Sequence, residues 1–324
     1  MERLNATIQT NSAMAEALLS FVEVNPKYVT INQIQEFVDE YEMLPELAYA
    51  MILSTALGFD IHKNNVHQEL FQDYIVPGFS QLKAEDFVDD PYLKNIKISP
   101  KKFGNLELAT QKFSAAEALF FNDVHTTSEF REYPQIGFFM DEIEFPAITE
   151  NDKTIASVNP LTINTTQNVI ENAQGNVLCC GLGMGYFAAL SSSKKTVEKI
   201  TVLENSNDII DVFNSEILPQ IPNGDKIEII NADPLEYIKG EPSPLPYDYI
   251  FSDTADLKNY LKLREYNCEF SREKKFLSEL RKTVFNQLYS IYQNPTEGGK
   301  EIKSYREVVD MISDKGLREV KVKG

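Results

Sequence analysis

From Asn176 onward the chain alternates short, almost continuously apolar runs with segments of helical period. The runs are "NVLCC" (176–180), "KITVLE" (199–204), "KIEIIN" (226–231) and "YDYIFSD" (247–253). Helical segments begin between them near Met184, Ser206 and Asp233. A strand that faces water reads apolar, polar, apolar; a strand that is apolar throughout has both faces covered. Covered strands alternating with helices predict βαβ units and a mostly parallel sheet with helices on both faces, an α/β class. At 324 residues with 43% apolar residues, the chain has material for one large or two moderate domains.

The first ~125 residues read as helical under the period test. "TINQ" (Thr30 to Gln33) is a capping-box pattern that opens a helix with Ile31, Ile34, Phe37 and Val38 on one face. Pro45 starts a second helix that Gly58 stops. A third is predicted over Asn105 to Asp123. Around Tyr133 the pattern becomes strand-like, with a turn at "TENDK" (Thr149 to Lys153). An amphipathic helix with Ile163, Val169 and Ile170 inside then runs to Gly175. After Asp253 the pattern gives a helix over Ser271 to Tyr292, another over Ser304 to Ser313, and a closing strand "LREVKV". The expected organisation is a helical domain over 1–128, a β-hairpin connector over 129–160 and an α/β domain over 161–324.

Composition narrows the function. The net charge of −18 opposes binding to a phosphate backbone, so no nucleic-acid partner is expected. Its plain reading is a solvated surface; its sharper reading is a field that favours neutral or cationic small molecules such as amines. No apolar run reaches the ~18 residues of a membrane span, and "MERLNATIQT" lacks the features of a signal peptide, so a cytoplasmic protein is expected. The three cysteines (Cys179, Cys180, Cys268) form no CxxC and the three histidines no HxH or HExxH, so no metal site is expected.

The segment "CGLGMGY" follows the first run and opens a helix. Gly181, Gly183 and Gly185 give GxGxG, with Tyr186 where the dinucleotide fingerprint has its last glycine. A tyrosine there obstructs a pyrophosphate, which leaves a loop suited to a single nucleoside. Glu204 ends the second run 23 residues past Gly181, near the spacing of an acid that accepts from ribose hydroxyls. The other reading of Glu204 is a solvated strand-end acid. Asp233 can cap the helix that begins at Pro234 and can also accept from an adenine amine. Those two roles are compatible.

Together, "VLCCGLGMGYFAAL…ITVLENS…IEIINADPLEYI…YDYIFSDTAD" resembles the class I S-adenosylmethionine-dependent methyltransferases, and among their relatives the spermidine-synthase-like proteins. The resemblance covers about residues 160–256 and implies a Rossmann-like sheet that binds S-adenosylmethionine at the C-terminal ends of its first strands. It implies that Gly181, Gly183 and Gly185 line the methionine and ribose portion, with Tyr186 beside them. Glu204 would take the ribose diol, Asp233 the adenine amine, and Ala232 would lie beside the base.

Asp253 ends the fourth run and Asp256 follows three residues later, similar to the Asp-x-x-Asp of spermidine synthases. Asp253, with Asp256, is the candidate for orienting or deprotonating an acceptor; its alternative is a loop acid capping the next turn. Met184 occupies the place of the loop acid that those synthases associate with the aminopropyl donor. The expectation is a methyltransferase acting on a small-molecule acceptor, with a homodimer left open. The alternatives are an aminopropyltransferase, or a non-catalytic cofactor-binding protein, to which Cys179 in a position where the family often has an acid lends some support.

Overall fold

The computed structural model of the chain describes residues 2–240, 246–252 and 269–270. Helices α1 (Glu2–Val24), α2 (Ile31–Tyr41), α3 (Pro45–Ala56) and α4 (Asn65–Leu70) come first, then strand β1 (Phe79–Leu82). Two short helices, α5 (Glu85–Val88) and α6 (Pro91–Asn95), precede β2 (Lys101–Phe103), β3 (Leu106–Phe113), β4 (Leu119–Thr126), β5 (Glu132–Phe139), β6 (Ile143–Glu150) and β7 (Lys153–Ser157). Helix α7 (Pro160–Asn172) leads into β8 (Gly175–Cys180), α8 (Tyr186–Ser192), β9 (Val197–Glu204) and α9 (Asn207–Val212). The described elements end with β10 (Ile227–Asn231), α10 (Pro234–Gly240), β11 (Tyr249–Ser252) and β12 (Glu269–Phe270).

Two compact units interleave along the chain. Among the described residues, the first takes the chain up to Lys83 together with Phe113–Glu142, and the second takes Ala84–Lys112 together with those from Ile143 on. These divisions cut the sequence differently from segments at 128 and 160.

In the first unit, α2 opens on the expected capping box: the Thr30 hydroxyl accepts from the Gln33 N–H and the Gln33 side chain accepts from the Thr30 N–H. Pro45 begins α3, and Gly58 follows its end with φ +83°. The helices bury Met14, Leu18, Phe21, Ile34 and Leu53 against a sheet in the order β1-β5-β4, with β1 parallel and β4 antiparallel to the central strand. Tyr49 of α3 stacks on Phe138 of β5 and Phe79 of β1, at 4.5 and 5.3 Å between ring centres.

The N-terminal stretch is therefore not wholly helical, and the helix expected over Asn105 to Asp123 is two strands, β3 and β4. Leu106 and Leu108 are buried at alternate positions, the period of a strand. The alanines that favour a helix sit in the β3–β4 link, where Ala116 takes φ +61° and donates its N–H to the Phe139 carbonyl at 2.8 Å. Tertiary pairing thus overrides a modest local propensity. Nor is 129–160 a single β-hairpin connector. Strand β5 pairs with β1 and β4, whereas β6 and β7 complete a four-stranded sheet in the order β2-β3-β6-β7.

The second unit contains that sheet and a parallel one in the order β10-β9-β8-β11-β12. Both faces of the parallel sheet are covered. Val177, Cys179, Ile200, Val202 and Phe251 join a large core with Val169 of α7, Phe187 of α8, Val212 of α9 and Leu106, Leu108 and Ile148 of the other sheet. Leu178, Cys180, Leu203 and Ile250 point the other way, onto Ile238 of α10. This double coverage is why the four runs read as continuously apolar. The helices and strands expected from 161 to 252 stand within a few residues of their sequence positions; those expected after Asp253 lie outside the described residues. Among the described residues, no helix is long and apolar enough to cross a membrane.

Candidate functional site

Strand β8 lies at the centre of the parallel sheet. The chain proceeds from it to β9 and β10 on one side and then returns to β11 and β12 on the other. Connections that leave in opposite directions open a crevice at the C-terminal ends of the two strands where the direction reverses, and open α/β sheets bind ligands there. The register levels this edge: Asn231 pairs with Glu204, and Ser252 with Cys180. Gly181, Ala232 and the acid Glu204 therefore sit at one end of the sheet.

Backbone bonds fix both ends of the turn after β8. The Gly181 N–H donates to Leu203, at 2.9 Å, and the Gly185 N–H to Leu182, at 2.8 Å. Gly181, Gly183 and Gly185 have φ of +99°, +51° and +68°, in the left-handed region that favours glycine. Gly185 has a further constraint, because a Cβ there would lie 2.1 Å from the Phe213 ring. Its glycine is thus explained by packing as well as by φ. Tyr186, the first residue of α8, is 6% exposed, and its ring belongs to the core.

Glu204 is the acid on which the site turns. It is 7% exposed, which excludes the solvated strand-end reading. One carboxylate oxygen accepts from the Leu182 N–H at 3.1 Å and the other from the Ser206 N–H at 2.9 Å. The Ala232 N–H donates to the Glu204 carbonyl at 3.1 Å, extending the β9–β10 ladder by one step. Among the described residues, none of the ion pairs involves Glu204. A buried carboxylate with one donor per oxygen keeps acceptor capacity on both oxygens. Asp233 caps α10, accepting from the Glu236 N–H at 3.0 Å, with Pro234 as the first helical residue.

Two residues outside the sequence-predicted set hold the turn. Asp90 caps α6, with one oxygen accepting from the N–H groups of Tyr92 and Leu93 at 2.9 and 3.1 Å. Its other oxygen accepts from the Tyr186 hydroxyl at 2.8 Å. The Tyr92 hydroxyl donates to the Met184 carbonyl. Burial first, and then the charge of Asp90, push both phenols well above the ordinary tyrosine value, so both remain donors at neutral pH. "DDPYL" shows an Asp-Pro helix start in the sequence, but nothing in it marks a tyrosine hydroxyl for a loop more than 90 residues away.

Asp253 and Asp256 lie outside the described residues. Cys179 is buried, and its thiol lies 3.2 Å from the Gly181 carbonyl, to which it donates. Among the described residues, no group of three or more histidines, cysteines or acids could hold a metal ion. Compared with known proteins, the chain matches no family model and no curated sequence.

Proposed function

We propose that the chain is an S-adenosylmethionine-dependent methyltransferase acting on a small-molecule acceptor, with a Rossmann-like second unit. The observation that carries the reading is a left-handed glycine turn after the central strand of a parallel sheet, tied directly to the buried acid that ends the next strand. The strand order, with the turn at the point of reversal, supports the same assignment.

The residues present suit a neutral ribose better than a phosphate. Glu204 repels an anion, while its remaining lone pairs can accept from two hydroxyls. Gly181 and Gly183 let a ligand approach the backbone beside it. Asp233, which caps α10 through one oxygen, follows Ala232 directly and is the residue proposed to accept from an exocyclic amine. S-adenosylmethionine, when bound, supplies an electrophilic methyl group on a sulfonium. The protein's part is to align the acceptor, exclude water and take a proton where the acceptor carries one. Asp253, next in sequence after Ser252 of β11, is the residue proposed for that last role, with Asp256 three residues further on.

Calorimetry with S-adenosylmethionine, S-adenosylhomocysteine and decarboxylated S-adenosylmethionine tests the reading. Binding of the first two is expected. Binding of none overturns it, and binding of only the decarboxylated form replaces it with aminopropyl transfer. Glu204→Ala should weaken S-adenosylmethionine binding by roughly 1.5–3 kcal/mol through lost ribose hydrogen bonds. Glu204→Gln, which keeps one acceptor oxygen, should lose less. Unchanged affinity in both variants would remove Glu204 from the ribose role.

A further inference from the structure

We propose that Asp90 and Tyr92 are positioning residues that set the glycine turn for its ligand, a proposal that rests on the nucleoside reading above. Both belong to one capped helical start. Asp90 is the cap of α6 and Tyr92 is its second residue, so the two cannot move independently while the cap holds. From this base they grip the turn at two points two residues apart: Asp90 through the Tyr186 hydroxyl, and Tyr92 through the Met184 carbonyl. The Tyr92 and Tyr186 rings lie 5.6 Å apart, so the two grips also pack against each other.

The gripped residues flank Gly185, the hinge between the turn and α8, whose φ is +68°. From its other end the turn is held by Glu204 through the Leu182 N–H. Leu182 is thus tied to the acid proposed to take the ribose, and Met184 and Tyr186 to α6. Gly183 lies between these anchors, with φ +51°. Loosening the α6 end leaves the core side chains in place but lets the turn sample other conformations. A ligand must then restrict that freedom on binding, and affinity falls without loss of any direct contact.

Tyr92→Phe and Tyr186→Phe each remove one hydroxyl and leave the rings. Each should weaken binding of S-adenosylmethionine and S-adenosylhomocysteine at least fivefold, with the double variant losing less than the product of the two. Asp90→Asn, which keeps one acceptor oxygen, should fall between the wild type and Asp90→Ala. Tyr49→Phe, a matched deletion in the first unit, should lower thermal stability and leave these affinities unchanged. In the unliganded protein, hydrogen exchange in peptides covering 181–187 should accelerate in Tyr92→Phe and Tyr186→Phe. Affinities within twofold of wild type in both variants would overturn the positioning role, whatever their melting temperatures. If the wild type binds neither nucleoside, the methyltransferase reading fails. Exchange then decides the clamp alone: acceleration at 181–187 upholds it, and unchanged exchange overturns it.

Discussion

Among the described residues, both units bury tyrosines whose hydroxyls find partners far along the chain, and the partners differ in kind. In the first unit Tyr49 donates to the Ala116 carbonyl at 3.2 Å and Tyr74 to the Asn11 side chain at 2.9 Å. Both tyrosines belong to the first unit's core, where Tyr49 also stacks on Phe79 and Phe138. In the second unit Tyr92 and Tyr186 bond to, or from, a turn that has three left-handed glycines. A buried phenol needs a partner in either place, because an unmade hydrogen bond costs about 1–3 kcal/mol. Where the partner is itself well packed, the bond adds stability. Where the partner is a glycine-rich turn, the same bond decides which conformation the turn adopts.

Alkaline titration is the harshest test, because it acts on both units at once. Burial raises all four phenols above the ordinary 10.0, Tyr74 to about 12 and the others further. Above pH 10 the unfolded chain releases these protons while the native one retains them. Stability is therefore complete below that pH and falls as pH rises through and beyond it, by up to about 1.4 kcal/mol per pH unit for each group. Denaturant midpoints measured from pH 8 to 12 should decline progressively from about pH 10. Tyr49→Phe and Tyr186→Phe should each flatten that decline, and a slope unchanged in both would show that these phenols ionise as freely in the fold as in the unfolded chain.

Two glycines separate the units next. Gly185→Ala places a Cβ at φ +68° and 2.1 Å from the Phe213 ring, so strain and overpacking combine to roughly 2–5 kcal/mol. Gly137→Ala in β5 meets Cδ1 and Cγ of Leu82 at 2.5 and 2.6 Å, overpacking without the left-handed φ that adds strain at Gly185. It should cost about 1–2 kcal/mol. Urea unfolding of both variants gives the order; equal losses would mean that the turn is no more constrained than an ordinary strand. The smallest effect belongs to the first unit's capping box. Thr30→Ala should cost about 1 kcal/mol by thermal melting and leave nucleoside binding untouched.

The same contrast explains what the sequence discloses. The parallel sheet was legible because "VLCC", "ITVL" and "IEII" are buried on both faces, a signal that needs no knowledge of partners. The turn and Glu204 were legible because strand, glycines and acid keep a fixed spacing. What escaped was long-range. "LELATQKFSAAEALFF" carries enough alanine and leucine to imitate a helix, and only pairing with distant strands makes it β3 and β4. Asp90 and Tyr92 escaped for a related reason: their N-terminal half reads as a separate domain, while the fold assigns them to the unit of the glycine turn.

The adjacent thiols of β8 carry a consequence of the sheet's double coverage. Cys179 lies in the larger core and Cys180 in the smaller one beneath α10. Neighbouring residues in one strand are thus shielded by two different layers. In a Cys268→Ser background, an alkylating reagent can reach Cys180 when α10 lifts and Cys179 only when the opposite layer opens. The ratio of their labelling rates reads which side of the sheet breathes first, a natural pair of clocks set one residue apart.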